Sequence, residues 1–248
     1  MNEPRGAYAV LAPLYDRLTD RDIDYSKWCE DYCTLAGLTR GQTVLEAACG
    51  TGKMTAQLLR RGLRVTGTDI SPQMLTVAGE TCRKLGTTPV LALCDMRTLT
   101  THRPVDAVLC TCDGVNYLTQ DADAAAFFSS AFAALKPGGI LAFDISSAQK
   151  LRGMDGQVYY DDRQDVTCLW TNALDGDILQ MELTFFVRKD QALYQRVDET
   201  HRQRAYAPEK LETLLMQAGF EAVQIVLPSD TPAWRRGRVH ITARKPAP

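Results

Sequence analysis

The sequence predicts an α/β fold built on a doubly wound, mostly parallel sheet, and three observations carry that expectation. A strand-like run, Thr43 to Leu45, leads into the turn Gly50-Thr51-Gly52, and a helical stretch, Lys53 to Arg61, follows. Further strand-like and helix-like segments alternate as far as Ile145, the pattern of parallel crossover units. From Gln157 to Gln203 the period of the pattern changes to two, so antiparallel strands interrupt the alternation before a last helix.

With 248 residues the chain can bury one substantial core, so a single domain is expected. The 28 basic residues against 30 acidic ones give a net charge of −2. No global field therefore draws the protein to nucleic acid or anionic lipid. No apolar run reaches the length needed to span a bilayer, and Met1-Asn2-Glu3-Pro4-Arg5 does not read as a signal peptide, so the expected location is the cytoplasm. Eight cysteines scattered through predicted helices and strands are expected to be free thiols. Cys29 and Cys33 share a helix face and Cys110 and Cys112 a strand face, but no His or Cys stands at finger spacing, and no metal is assigned.

The glycine turn is the chemical centre of the chain. Gly50 and Gly52 carry no Cβ and tolerate positive φ, so the backbone can turn sharply against a ligand. The free N–H groups of the following helix then face it. Asp69, 19 positions after Gly50, closes the second strand (Arg64 to Thr68), where a carboxylate can accept both hydroxyls of a ribose. A dinucleotide fingerprint needs Gly or Ala three places after the second glycine, and Thr55 stands there, which argues against a nicotinamide dehydrogenase. Glu46, four residues before the first glycine, has no task against a pyrophosphate and suits a ligand with a cationic end.

Four segments, Glu46-Ala47-Ala48-Cys49-Gly50-Thr51-Gly52, Asp69-Ile70-Ser71-Pro72-Gln73-Met74-Leu75, Cys94-Asp95-Met96 and Leu135-Lys136-Pro137-Gly138-Gly139, follow one another in order. In these motifs the chain resembles the class I S-adenosylmethionine-dependent methyltransferases over roughly residues 40 to 146. The resemblance implies a Rossmann-like, seven-stranded sheet and S-adenosyl-L-methionine as cofactor, with S-adenosyl-L-homocysteine as product. It also implies a cofactor surface made by Glu46, Ala48, Gly50, Gly52, Asp69, Ile70, Met74, Cys94, Asp95, Met96 and Cys112. The N-terminal cap and the later β-rich insert are similar to those of small bacterial members, including amino-sugar N-methyltransferases.

Taken in order, residues 1–40 are expected to form a helical cap with helices Ala7 to Leu18 and Tyr25 to Leu38, the second capped by Asp22 or Asp24. Tyr8, Leu11, Leu14 and Tyr15 make one apolar stripe. For Tyr15 and Trp28 two readings stand: packing of the cap, or, as the resemblance implies, closure over the methionine end of the cofactor, where an aromatic face favours a sulfonium. In the core, 41–146, Ser71-Pro72 opens a helix. Met74 is then one turn from the ribose carboxylate. Pro89 to Leu93 is the third strand; Asp95 at its end can accept from an adenine amino group, with Met96 against the ring.

The loop after the fourth strand (Val105 to Cys110) lies where the strand order reverses, so the methyl acceptor is expected beside Asp113, Asn116 and Tyr117, and Gly114 allows close approach. The Asn-Pro-Pro-Tyr signature of many nucleic-acid and protein amide methyltransferases is absent here. Asp121 to Leu135 is a helix, and the turn Lys136 to Gly139 is expected to lead into the strand Ile140 to Ile145, from which Asp144 could reach the site from below.

In the insert, 155–205, Asp175-Gly176 signals a hairpin between Val166 to Trp170 and a strand in which Leu179, Met181, Leu183, Phe185 and Val187 share one face. A third strand covers Leu193 to Thr200, and the insert is read as a lid that selects the acceptor. His201 at its end is the candidate general base, its ordinary pKa of about 6.5 suiting an amine or hydroxyl. Arg202 and Arg204 could hold an anionic group of the acceptor. The last segment, 206–248, is a helix opened by Pro208 and two strands, Glu221 to Leu227 and Arg238 to Arg244, with a basic cluster of Arg235, Arg236 and Arg238 read as a solvated turn.

The expected function is methyl transfer to a small polar acceptor, at nitrogen or oxygen, by a monomer or homodimer. His201, Tyr117 and Asp113 are the candidate catalytic residues. An RNA-modifying methyltransferase and a non-catalytic cofactor-binding module are the alternatives.

Overall fold

The computed structural model describes residues 11–19, 24–190, 193–226 and 237–248. Tyr8, Asp22, Arg235 and Arg236, the first turn of the expected first helix, and Leu227 lie outside them. The cap provides α1 (Ala12–Thr19) and α2 (Tyr25–Leu35). Asp24 starts α2 by accepting from the Lys27 backbone N–H at 3.0 Å.

The core then alternates: β1 (Thr43–Ala47), α3 (Lys53–Arg60), β2 (Arg64–Asp69), α4 (Pro72–Lys84), β3 (Val90–Leu93), β4 (Val105–Cys110), α5 (Asp121–Ala134) and β5 (Leu135–Ser146). After α6 (Ala148–Arg152) come β6 (Val158–Arg163), β7 (Val166–Asp175), β8 (Ile178–Asp190), β9 (Leu193–Arg204), α7 (Pro208–Gln217), β10 (Glu221–Val226) and β11 (Arg238–Arg244).

Seven strands form one sheet in the order β10-β11-β5-β4-β1-β2-β3. Strands β1 to β5 pair in parallel, and β11 runs antiparallel to both β5 and β10. The order reverses between β1 and β4, so the residues just past those two strands line the crevice. Gly114 marks how close they come: a Cβ there would stand 2.8 Å from Cys110 Sγ and 3.2 Å from Ala48 Cβ.

Two boundaries differ from the sequence expectation. Strand β5 begins at Leu135 rather than Ile140, because Leu135 pairs with Val105 and the register shifts before Ala107. Gly138, at φ +75, bends the chain there, and its N–H donates to the Lys245 carbonyl at 3.0 Å. The insert has a fourth strand, β6, which the sequence reading did not separate out. Its Val158, Tyr159 and Tyr160 are all exposed on the edge of the insert sheet, so no buried alternation announced it.

The insert is its own antiparallel sheet, β6-β7-β8-β9. The inward parity of Leu179, Met181, Leu183 and Phe185 is as expected, with Phe186 on the opposite face. The cap does not act as one piece. Trp28, Cys29 and Tyr32 of α2 pack on the large sheet with Val44, Leu109 and Ala142, whereas Leu11 and Leu14, at and beside the start of α1, pack against the insert with Leu179, Met181 and Phe185. The short helix α1 is thereby held over the boundary between the two sheets.

Candidate active site

The glycine turn has the predicted backbone. Gly50 and Gly52 adopt φ +54 and +75, and Ala48 just before them is also left-handed at φ +52. A Cβ on Gly52 would stand 2.8 Å from the Ala78 Cβ, so this glycine lets α3 and α4 pack. A Cβ on Gly50 would meet nothing within 4 Å, which leaves its side of the turn open to a ligand. The Gly50 N–H donates to Asp69 Oδ2 at 2.9 Å, and Ser71 N–H donates to Oδ1 at 2.8 Å. Asp69 thus ties the end of β2 to the turn after β1. Burial raises its pKa against those two donors.

Glu46 lies beneath the turn, 1% exposed, and accepts from Thr55 Oγ1 at 2.6 Å. Thr55, the residue that breaks the dinucleotide pattern, therefore has a partner of its own. Burial pushes the Glu46 carboxyl up to about 8, the Thr55 hydroxyl opposes the shift, and the nearby Asp69 charge adds to it. A buried carboxylate so little compensated fits a ligand that brings a positive charge.

Beside the turn, Ile70 is 66% exposed at the end of β2. Half-buried Cys94 and Met96 pack with Ala48 against the main core at the end of β3. These side chains leave an apolar margin along the strand ends, next to a carboxylate. Asp95 accepts from Arg97, at 2.9 Å from its backbone N–H and 3.0 Å from Nε, and that guanidinium holds the Asp95 carboxyl below its usual range. Met74 is buried in the first turn of α4. Trp28 has no exposed surface; Arg238 sits 4.9 Å over its ring and it is flanked by Tyr25 and Tyr32.

The loop past β4 is held from below by one carboxylate. Asp144, fully buried in β5, accepts from the backbone N–H of Cys112 at 2.8 Å and of Asp113 at 3.1 Å. It also accepts from Tyr32 Oη at 2.9 Å and Arg238 Nη1 at 2.5 Å. Cys112 and Asp113 are both left-handed, at φ +61 and +55, a strained pair for non-glycine residues that these bonds hold in place. Burial pushes the Cys112 thiol up to about 12, which keeps it uncharged.

Asp113 itself accepts from Arg238 Nη1 at 2.6 Å and from Gln203 Nε2 at 2.7 Å. Both of its oxygens are thus engaged, one of them in an ion pair. Asn116 is fully buried, accepting from the Ser146 N–H and donating to the Ser146 and Arg204 carbonyls.

Arg238 does not belong to a solvated basic cluster. It is 8% exposed, and Asp113 and Asp144 outweigh the effect of burial to hold its pKa well above the usual range. Arg204 is likewise committed, to Asp121 Oδ1 at 2.6 Å and over the Tyr206 ring, while Arg202 faces outward from β9.

His201 is 3% exposed, and both ring nitrogens are engaged: Nδ1 with Tyr117 Oη at 3.0 Å and Nε2 with Glu199 Oε2 at 3.1 Å. The buried imidazole is thus hydrogen-bonded to Tyr117, which is half-buried on the loop. Tyr15 of α1 lies by the same loop, and burial followed by the charges of Cys112, Asp113 and Tyr117 raises its pKa. Glu199, Gln203 and Arg238 were the residues whose part in this site the sequence reading missed or misplaced, whereas Asp144 reaches the loop from below. For two of them a signal existed: Glu199, His201 and Gln203 share strand parity and are the buried face of β9.

A seven-stranded sheet whose order reverses beside a glycine turn, with a carboxylate at the end of its second strand tied to that turn, points to the class. The chain belongs to the class I S-adenosylmethionine-dependent methyltransferases, and S-adenosyl-L-methionine is its cofactor. A methyltransferase domain profile matches residues 44–139. The Bacillus subtilis (strain 168) protein YqeM, provisionally named a methyltransferase, is 34% identical over 96% of this chain and 97% of its own length. A S-adenosylmethionine-dependent methyltransferase from Clostridium acetobutylicum superposes with a TM-score of 0.83 at 30% identity, covering 98% of this chain and all of its own. The Streptoalloteichus sugar N-methyltransferase KedS8 shares the fold at a TM-score of 0.79 and 23% identity, covering 99% of this chain and 97% of its own. Among the described residues no helix is long and apolar enough to cross a membrane.

Proposed function

We propose that the chain methylates a nitrogen of a small polar amine, with Tyr117 and His201 relaying the proton that the amine must lose. The observation that carries this reading is the 3.0 Å contact between Tyr117 Oη and His201 Nδ1, placed on the loop at the sheet's reversal point. A hydroxyl or amide acceptor would not arrive with an extra proton. An alkyl amine does, and its lone pair is blocked until that proton leaves.

The cofactor supplies an activated methyl group on a sulfonium, so alignment and exclusion of water can do much of the work. In this reading Asp69 holds the sugar hydroxyls, Ile70, Cys94 and Met96 flank the base with Asp95 at its rim, and Glu46 receives the cationic end. Ala48, Gly50, Gly52 and Cys112 bring backbone close to the ligand, and Tyr15 closes over it from α1.

On the acceptor side, the ammonium gives its proton to Tyr117 Oη as the Tyr117 proton passes to His201 Nδ1. The imidazolium so formed is held against Glu199. The freed nitrogen pair then forms the N–C bond while the S–C electrons stay on sulfur.

The insert acts as the lid that shapes the acceptor space, as the name of KedS8, a sugar N-methyltransferase of the same architecture, supports. Small amines, not RNA, are the expected partners, because Arg238 and Arg204 are already paired. The test is methyl transfer from S-adenosyl-L-methionine to a panel of amino sugars and small primary amines, each beside its hydroxyl counterpart. Turnover confined to the hydroxyl compounds, or to transfer RNA, would overturn the reading.

A further inference from the structure

We propose that Glu199, tied to the backbone N–H of Leu11 ahead of the cap helix, fixes the tautomer of His201 and with it the direction in which the Tyr117 proton can move. The inference rests on the amine-methylating reading and deepens it: Glu199 is a positioning residue that acts through His201. Glu199 is 1% exposed, and its two oxygens have separate tasks. Oε1 accepts from Leu11 N–H at 2.8 Å and Oε2 meets His201 Nε2 at 3.1 Å.

An ionised carboxylate only accepts, so Nε2 must carry the ring proton. A neutral imidazole has one N–H. Nδ1 is therefore bare, and Tyr117 must donate to it across 3.0 Å. The chain of hydrogen bonds points one way, from Tyr117 through His201 to Glu199. Among the described residues, Tyr15 on α1 feels Tyr117 together with Cys112 and Asp113 of the loop. Asp113 is neutralised by Arg238 at 2.6 Å and Cys112 is held protonated by burial, so neither competes for the relayed proton.

Leu11 makes the arrangement unambiguous. In a Glu199→Gln variant the amide oxygen has to stay on the Leu11 N–H, which cannot accept. The amide NH2 then faces His201 Nε2 and requires a lone pair there. The ring proton moves to Nδ1 and points at Tyr117, which can no longer give its own proton away. One change of an oxygen for an NH2, with no change of shape, reverses the relay. The cap also touches the cofactor turn, since Asp16 of α1 accepts from Thr51 Oγ1 at 2.7 Å. The same helix therefore reports on both halves of the site.

The experiment is nitrogen NMR on the full chain with 15N-labelled histidine, near pH 8. There are three histidines, and His201→Gln identifies the signal of interest. Wild type is expected to show His201 protonated on Nε2 and bare on Nδ1, and Glu199→Gln the opposite pattern. Wild-type His201 protonated on Nδ1, or a Glu199→Gln spectrum that keeps Nε2–H, overturns the proposal. The wild-type tautomer needs no variant and no acceptor, so the inference stays falsifiable if Glu199→Gln fails to fold, and it can fail or survive separately from the choice of amine. With an amine that is turned over, Glu199→Gln should lower kcat about a hundredfold or more and leave the KM for S-adenosyl-L-methionine unchanged.

Discussion

The hydrogen bonds that the Glu46 and Asp69 carboxylates accept under the glycine turn are short in sequence, and those that the Tyr117, Asp113 and Glu199 side chains make across the crevice are long. Thr55 reaches back 9 residues to Glu46, and Gly50 reaches 19 to Asp69. Across the crevice, Tyr117 meets His201 over 84 residues, Arg238 meets Asp113 over 125, and Leu11 meets Glu199 over 188. The first half is one strand-turn-helix unit and its neighbour, so its geometry is set by local backbone rules. The second half exists only when β5, β9, β11 and the start of the cap have all docked. Damage to the acceptor half should therefore cost stability as well as turnover, while damage to the cofactor half should register mainly as binding.

That contrast can be broken in five ways. Asp144→Ala is the severest: it strands Arg238 and two backbone N–H groups in the interior, and chemical denaturation should show a loss of about 3–5 kcal/mol. A loss under ~1 kcal/mol would mean that the acceptor loop does not depend on this anchor. Tyr117→Phe removes only a hydroxyl, so turnover should fall about a hundredfold with a stability loss of about 1 kcal/mol, the size of one hydrogen bond. His201→Ala should lower turnover likewise while cofactor affinity stays the same. Equal activity in either variant would end the relay.

On the other half, Asp69→Ala should weaken S-adenosyl-L-methionine binding at least tenfold by calorimetry, because it removes charge-assisted bonds and also frees the Gly50 N–H. The mildest test is pH. Glu46 titrates near 8 in the folded chain against an ordinary 4.5. A raised acid pKa means that stability is highest below about 4.5 and falls as pH rises toward 8, and Glu46→Gln should flatten that slope. A cationic ligand that favours the ionised form should bind more tightly as pH rises to about 8, by at most tenfold per unit, with proton release on binding. Binding that does not vary with pH over this range would detach Glu46 from the cationic end.

The same contrast explains what could be read without coordinates. The glycine turn, the strand-end position of Asp69 and the Ser71-Pro72 helix start were legible because each depends on neighbours within a few tens of residues. The insert's alternation gave three of its four strands, but β6 lies exposed on an edge and carried no periodic signal. His201 and Tyr117 were each named as catalytic, yet their contact was not foreseeable, since nothing in the spacing of residues 117 and 201 says that β9 lies along the loop. Arg238 was misread for the same reason. Beside Arg235 and Arg236 it looks like surface charge, and only the pairing of β11 with β5, His240 opposite Asp144, brings it beneath the acceptor loop.

Thr55 has a wider consequence. At the position where a dinucleotide site keeps a residue without a polar arm, this chain places a hydroxyl that donates to the carboxylate under the turn. In the amine-methylating reading proposed above, that hydroxyl prepares the carboxylate for a cationic ligand. A Thr55→Ala exchange should leave the fold intact but give Glu46 an even more reluctant ionisation. Discrimination between ligands that share a nucleoside is then decided beneath the glycines, by what waits for the far end of the molecule.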